Sequence, residues 1–133
     1  GMGLIGTLSQ GLSFETLLEN VKSGFHTGCI KYSQNNLKEI NSVAVLGGSG
    51  SFAIDKAKAL GAQVYITSDL KYHDYFKGHE NFALLDIGHY ESEQFTKDLI
   101  VEYLSKKITN FAPSLPRVKV LKSNVKTNPI SYY

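Results

Sequence analysis

The sequence has little cysteine, little excess charge and no long apolar run, and each shortage excludes a class of protein. Cys29 is the only cysteine, so no disulfide can form within the chain, and a reducing cytoplasm is the expected location. No apolar stretch approaches the ~20 residues that a membrane-spanning helix needs, and no charged segment followed by an apolar core marks a signal peptide. We therefore expect a cytoplasmic protein with no membrane partner.

The charge balance also argues against nucleic acid as a partner. The chain carries 14 basic and 12 acidic residues, for a formal net charge of +2. The basic residues are scattered, whereas a nucleic-acid interface needs them clustered on one face.

Strand and helix patterns alternate through the 133 residues. Ser13 is the expected N-cap of a first helix and Gly24 its expected end. Strands are predicted at residues 29–32, 43–46, 63–67, 82–86 and 118–121, helices at 52–60, 69–76 and 89–107, and a linker at Pro113 and Pro116. The pattern favours one α/β domain over residues 1–133, a layered domain with a mixed, largely parallel sheet flanked by helices.

Three strand-to-helix junctions carry the residues with chemical potential. They lie at residues 46–50, 67–69 and 86–89. In a parallel sheet, functional groups gather where the strands end at their carboxyl edges. If the three strands are parallel neighbours, the junctions line one crevice.

The third junction predicts a metal site. His89 and Glu93 stand four residues apart, so on a helix their side chains share one face and reach the same divalent ion. The helix N-terminus is expected to lower the pKa of His89 and keep the imidazole neutral. On spacing alone, a helix start with acidic residues near the dipole and an exposed histidine is the commoner explanation.

The second junction has the same spacing, with Asp69 and His73 four residues apart. Such a carboxylate–imidazole pair is suited to orienting a ligand or moving a proton. The alternative is an Asp69 N-cap followed by a surface histidine.

The first junction has a competing interpretation. Gly48, Gly50 and Ala53 fit the G-x-G-x-x-A pattern of dinucleotide-binding loops, and Asp69 lies where the ribose-binding acid is expected. That pattern accounts for neither His89 nor Glu93, and a tight strand-to-helix turn explains the glycines as well.

Taken together, the sequences at the three junctions resemble the motifs of a known protein family. Residues 43–50 (VAVLGGSG), 65–74 (YITSDLKYHD) and 85–93 (LDIGHYESE) resemble successive motifs of the NIF-three-like proteins, also called GTP cyclohydrolase I type 2 homologs. Residues 3–8 and 127–129 fit the same order. The motifs match the C-terminal half of that family, and Ser68 departs from them because the family usually has glycine there.

The resemblance implies a site larger than this chain. Family members resemble one another in having two related α/β halves that face each other across a cleft holding two divalent metal ions, and in forming toroidal hexamers. The C-terminal half supplies a histidine and a glutamate, which fall on His89 and Glu93, whereas Asp69 and His73 line the same cleft with catalytic or substrate roles. The mixed ligand set permits zinc, manganese or iron.

The resemblance further implies a metal-dependent hydrolase acting on a small molecule, a nucleotide or related heterocycle. The N-terminal histidine pair of the family has no counterpart here, so we expect the chain to be inactive alone. Two alternatives stay open at this point: a non-enzymatic metal-binding scaffold or regulator, and a nucleotide-binding domain that uses residues 48–53.

Overall fold

A computed structural model describes residues 2–111 and 118–132. Pro113 and Pro116, where a linker was predicted, lie outside the described residues. The strands are β1 (Leu4–Leu12), β2 (Lys31–Tyr32), β3 (Ile40–Ser49), β4 (Val64–Ser68) and β5 (Ala83–Asp86); the helices are α1 (Phe14–Phe25), α2 (Ile54–Ala59), α3 (His89–Glu93) and α4 (Thr96–Phe111). Two short 3₁₀ helices span Ser51–Ala53 and Tyr72–Lys77.

The five strands form one mixed sheet in the order β1-β3-β4-β5-β2. β3, β4 and β5 are parallel, and the two edge strands run antiparallel to their neighbours. The predicted α/β class with a largely parallel sheet is confirmed. Because the three central strands are parallel, their carboxyl ends meet at one edge of the sheet.

β4 and β5 are buried along their whole length, so the sheet is covered on both faces there. Val64 and Ile66 of β4 pack into one apolar cluster with Leu17 and Val21 of α1. Tyr65 points the other way, into a second cluster that includes residues of α2. Successive side chains of a strand alternate between faces, so an unbroken apolar strand indicates cover on both sides.

The first helix begins as predicted but ends later. The Ser13 side chain accepts a hydrogen bond from the backbone N–H of Thr16 at 3.1 Å, which confirms the N-cap. The predicted end at Gly24 is wrong, because the helix continues to Phe25. His26 takes the left-handed conformation, with φ of 52°, and its N–H bonds to the Lys22 carbonyl. Histidine is one of the non-glycine residues that tolerate this conformation.

Two further predictions are wrong. The helix predicted over residues 89–107 is two helices, α3 and α4, separated by a turn at residues 94–95. Neither glycine nor proline occurs at this turn, so the sequence gives no sign that the helix is interrupted there. Residues 118–121 form no strand, and four alternating residues do not make a strand unless a partner pairs with them.

The chain contains two compact units. Of the described residues, one unit comprises 2–93 together with Tyr132, and the other comprises 94–111 and 118–131. All the candidate site residues belong to the first unit. Among the described helices, none combines the length and the apolar character required to cross a bilayer.

Candidate metal centre

The three junctions meet at the carboxyl edge of the sheet. The backbone N–H of Gly48 donates to Ser92 Oγ of α3 at 2.8 Å. The Gly48 carbonyl accepts from Thr67 Oγ1 at 3.1 Å and from Ser68 Oγ at 2.6 Å, both at the end of β4. The backbone of one glycine thus ties the loop after β3 to the end of β4 and to the helix after β5.

At this edge the imidazole of His89 lies between two carboxylates. Nδ1 is 2.6 Å from Asp69 Oδ2, and Nε2 is 3.3 Å from Glu93 Oε2. The three side chains are 47%, 48% and 51% exposed for His89, Asp69 and Glu93, respectively. The cluster is therefore accessible from solvent while its backbone is fixed by the sheet.

The two carboxylates change the proton affinity of the imidazole. The hydrogen bond to Asp69 raises the pKa of His89 above its usual value, and the negative charges of Asp69 and Glu93 add to this effect. The expectation that the helix start lowers this pKa is wrong for the metal-free chain. α3 has only five residues, and two adjacent carboxylates outweigh so short a helix dipole.

Asp69 reaches His89 because its backbone is left-handed, rather than helical as the sequence predicted. Its φ is 57°, a left-handed conformation that aspartate tolerates better than most residues. It precedes the 3₁₀ helix, which begins at Tyr72, so the expected helical pairing with His73 does not form. Its partner is His89, twenty positions along the chain.

His73 lies on the exposed 3₁₀ helix among aromatic rings. Its ring centroid is 5.2 Å from that of Tyr72 in an edge-on contact and 6.2 Å from that of Phe76 in a stacked one. The structure thus places Asp69, His89 and Glu93 together and gives His73 separate aromatic neighbours. The catalytic role of His73 stays a prediction.

Side chains of the protein occupy the space beside the glycines of the loop after β3. A Cβ at Gly48, whose φ is 70°, would collide with the carboxylate of Glu93 and lie 3.6 Å from Cε1 of His89. A Cβ at Gly50 would meet the side chains of Thr67 and Tyr65. The glycines therefore make room for the site's own side chains, which accounts for them without a bound dinucleotide.

Two serines in the cluster were not among the predicted site residues. Ser68 is fully buried beneath the Gly48 carbonyl, and its hydroxyl oxygen lies 3.5 Å from that of Ser92. Ser92 also donates to the His89 carbonyl at 2.8 Å. Ser92 could have been predicted from its spacing, because it follows His89 by three residues and therefore lies on the same helix face.

The cluster offers few metal ligands by itself. Within residues 2–111 and 118–132, no group of three or more His, Cys, Asp or Glu side chains is arranged to hold an ion. Asp69 and Glu93 contact opposite nitrogens of the same imidazole. In the described residues, His89 Nε2 and the Glu93 carboxylate face each other, and Asp69 lies on the opposite side of the imidazole.

Comparison with known proteins gives the family. The model for Duf34/NIF3 (NGG1p interacting factor 3) matches residues 1–129. A GTP cyclohydrolase 1 type 2 homolog of Staphylococcus epidermidis is 34% identical over 133 residues, covering 99% of this chain and 35% of the relative. A homolog of the same name from Listeria innocua is 30% identical, with the same two coverages.

The fold comparison agrees. The crystal structure of a Bacillus cereus protein related to NIF3 matches with a TM-score of 0.86 and 29% identity, covering 100% of this chain and 36% of that one. The chain thus spans about a third of the length of these relatives, so the predicted partial correspondence is confirmed. The motifs, the fold and the family match agree, and the chain belongs to the DUF34/NIF3 family.

Proposed function

We propose that this chain supplies part of a divalent-metal site in a longer hydrolase-like protein. His89 and Glu93 are the proposed ligands, and Asp69 is the residue that orients the imidazole. The observation that carries the proposal is the line of contacts from Asp69 through His89 to Glu93 at the carboxyl edge of a parallel sheet.

The spacing of the two proposed ligand atoms fits a metal. Two atoms that each lie about 2.1 Å from a tetrahedral zinc ion are about 3.4 Å apart. His89 Nε2 and Glu93 Oε2 are 3.3 Å apart. Both groups are half exposed, so an ion can reach them without any rearrangement of the core.

The contact on the other ring nitrogen supports the same assignment. A histidine that binds metal commonly donates its second N–H to a carboxylate, which fixes the tautomer and the ring orientation. Asp69 Oδ2 is in that position, 2.6 Å from Nδ1. A neutral imidazole held this way keeps the Nε2 lone pair on the side of Glu93.

Two ligand groups do not complete a site for two ions. We propose that the remaining ligands come from outside the described residues, so the isolated chain is inactive. When bound, the metal ions would lower the pKa of a coordinated water and polarise a substrate oxygen. His89 and Glu93 would hold the ions together with those outside ligands, and His73, on the 3₁₀ helix after Asp69, is proposed to contact substrate or move a proton.

The substrate class rests on the relatives. Those matched above carry the name GTP cyclohydrolase 1 type 2 homolog, and we propose a nucleotide or related heterocycle as the substrate of the full-length protein. The same family relationship leads us to propose assembly into a homo-oligomer, a hexamer by family resemblance.

The metal assignment is testable by calorimetric titration of the chain with Zn²⁺ and Mn²⁺. We expect micromolar or weaker binding that is lost in His89→Ala and Glu93→Ala and retained in the control His79→Gln, whose exposed histidine lies outside the site. Binding unaffected by His89→Ala would refute the assignment, and submicromolar binding of two ions would refute the partial site.

Turnover by the full-length protein distinguishes an enzyme from a scaffold. GTP is the probe, with product release followed by chromatography. Loss of both metal and turnover in His89→Ala supports the hydrolase, whereas absence of turnover in the metal-loaded wild-type protein supports the scaffold.

A further inference from the structure

We infer that Asp86, the last residue of β5, is the positioning residue that holds Asp69 and His89 together. The inference deepens the proposed metal site and rests on it for the metal-binding consequence alone. Asp86 has a side chain that is only 2% exposed, so it does not meet solvent or an incoming ion. Any effect it has on metal must pass through the residues it holds.

The Asp86 carboxylate bonds to both loops that carry the site. Oδ2 accepts a hydrogen bond from the backbone N–H of Leu70 at 3.1 Å. Oδ1 accepts one from the backbone N–H of Gly88 at 3.1 Å. Leu70 directly follows Asp69, and Gly88 directly precedes His89. One rigid carboxylate thus fixes the backbone beside each partner of the imidazole–carboxylate contact.

The backbone it fixes needs such support. Asp69 has φ of 57° and Gly88 has φ of 91°, both in the left-handed region. A non-glycine residue held there persists only where its surroundings hold it. Asp86 accepts hydrogen bonds from the N–H of Leu70, which follows Asp69, and from the N–H of Gly88 itself. These bonds would resist relaxation of either loop.

A carboxylate can accept both of these backbone hydrogen bonds, whereas an amide cannot. The two N–H groups bond to different oxygens, so each oxygen of the side chain must accept. An asparagine has one accepting oxygen and one donating NH₂ group, which leaves an N–H facing another donor. The substitution Asp86→Asn therefore changes the loop hydrogen bonds while keeping size and shape.

Lys31 explains how a charge is tolerated at so buried a position. Its Nζ lies 2.8 Å from Asp86 Oδ2, and its side chain is 61% exposed. Lys31 on β2 pairs directly with Asp86 across the antiparallel edge of the sheet. A buried carboxylate is strongly unfavourable unless it is paired and hydrogen-bonded, and here it is both.

The test compares Asp86→Asn with the matched control Ser33→Ala. Ser33 is also buried, and its Oγ accepts a hydrogen bond from the backbone N–H of Leu84. Leu84 lies on β5, as Asp86 does, but away from the two loops. Each substitution removes a buried acceptor of a backbone N–H. The readouts are thermal unfolding, the imidazole ¹⁵N NMR signals of His89 in the metal-free chain at one pH, and calorimetric titration with Zn²⁺.

For Asp86→Asn we expect the His89 ring signals to move toward those of Asp69→Asn, and Zn²⁺ affinity to fall about 10-fold or more. For Ser33→Ala we expect lower thermal stability with unchanged ring signals and unchanged affinity. Equal behaviour of the two variants, or wild-type ring signals in Asp86→Asn, would overturn the positioning role.

Two outcomes need separate handling. If the wild-type chain binds no Zn²⁺, the proposed function fails, and the metal-free ring signals still decide the role of Asp86. If Asp86→Asn does not fold, amide hydrogen exchange on the wild-type chain decides it. Slow exchange at Leu70 and Gly88, as at sheet amides, supports the inference, whereas exchange at unprotected loop rates overturns it.

Discussion

Asp69 Oδ2 lies 2.6 Å from His89 Nδ1, although twenty positions separate the two residues in the chain. They meet because β4 and β5 are adjacent parallel strands whose carboxyl ends face the same edge. Asp69 leaves the end of β4 and His89 follows the end of β5. Strand order, rather than sequence proximity, therefore creates the contact on which the proposed site depends.

Replacing Asp69 should weaken metal binding without abolishing it. Asp69→Asn removes the negative charge behind the imidazole, and loss of such a partner typically reduces metal affinity about 10–100-fold. Calorimetric titration with Zn²⁺ measures the change. Asp74→Asn is the control, because Asp74 accepts from the Lys71 N–H on the neighbouring 3₁₀ helix rather than from the imidazole. Wild-type affinity in Asp69→Asn would remove Asp69 from the site.

The sequence predicts the central strands well because they carry strong local signals, whereas the nine-residue edge strand β1 was not predicted. The runs at residues 64–66 and 82–85 are apolar on both faces, and short helices follow the strands. These signals place three junctions at one edge. The family motifs then direct attention to His89 and Glu93, which share a face of α3 as their spacing predicts.

The details of the cluster depend on tertiary structure, which local spacing does not encode. The i and i+4 rule pairs Asp69 with His73 only if both lie on a helix, and the left-handed backbone of Asp69 places it outside one. The raised pKa of His89 likewise follows from the carboxylate of Asp69, which lies in the loop after β4, far from His89 in the chain. Asp86 reads as an ordinary strand end until its two backbone partners are seen.

The metal-free chain should gain stability from His89 at low pH. A group whose pKa is raised on folding stabilises the folded state fully below its unfolded value, about 6.5 for histidine. That contribution is lost as the pH rises through the higher folded value. Because the side chain is half exposed, we expect less than about 1 kcal/mol.

Denaturant unfolding in the presence of a chelator measures this effect, with His89→Gln as the neutral reference. The wild-type advantage should be largest near pH 5.5, about one unit below the unfolded pKa, and should shrink as the pH rises. An advantage that grows with pH would contradict the raised pKa of His89.

The cap of α1 provides a stability change remote from the site. Ser13→Ala removes the acceptor of the Thr16 N–H, and loss of such a cap typically destabilises by about 1 kcal/mol. Thermal and denaturant unfolding should show this loss, while Zn²⁺ affinity below the unfolding transition stays at the wild-type value. Reduced affinity in this variant would mean that global stability, rather than local geometry, governs the metal measurements.

Adding one methyl group at Gly48 should damage both the fold and the site. The new Cβ of Gly48→Ala would collide with the Glu93 carboxylate, and an alanine at φ of 70° is strained on its own account. We expect a destabilisation of about 1–3 kcal/mol together with weaker Zn²⁺ binding, because Glu93 must move. Denaturant unfolding and calorimetry measure the two effects.

Gly24→Ala is the matched control, because Gly24 lies within α1, has no positive φ, and has open space where a Cβ would be added. Within a helix, replacing glycine by alanine should stabilise by about 0.5–1 kcal/mol, with Zn²⁺ affinity unchanged. If Gly48→Ala instead binds Zn²⁺ as the wild type does, Glu93 tolerates displacement from its place beside His89. It could then not be a ligand whose position the glycine loop sets.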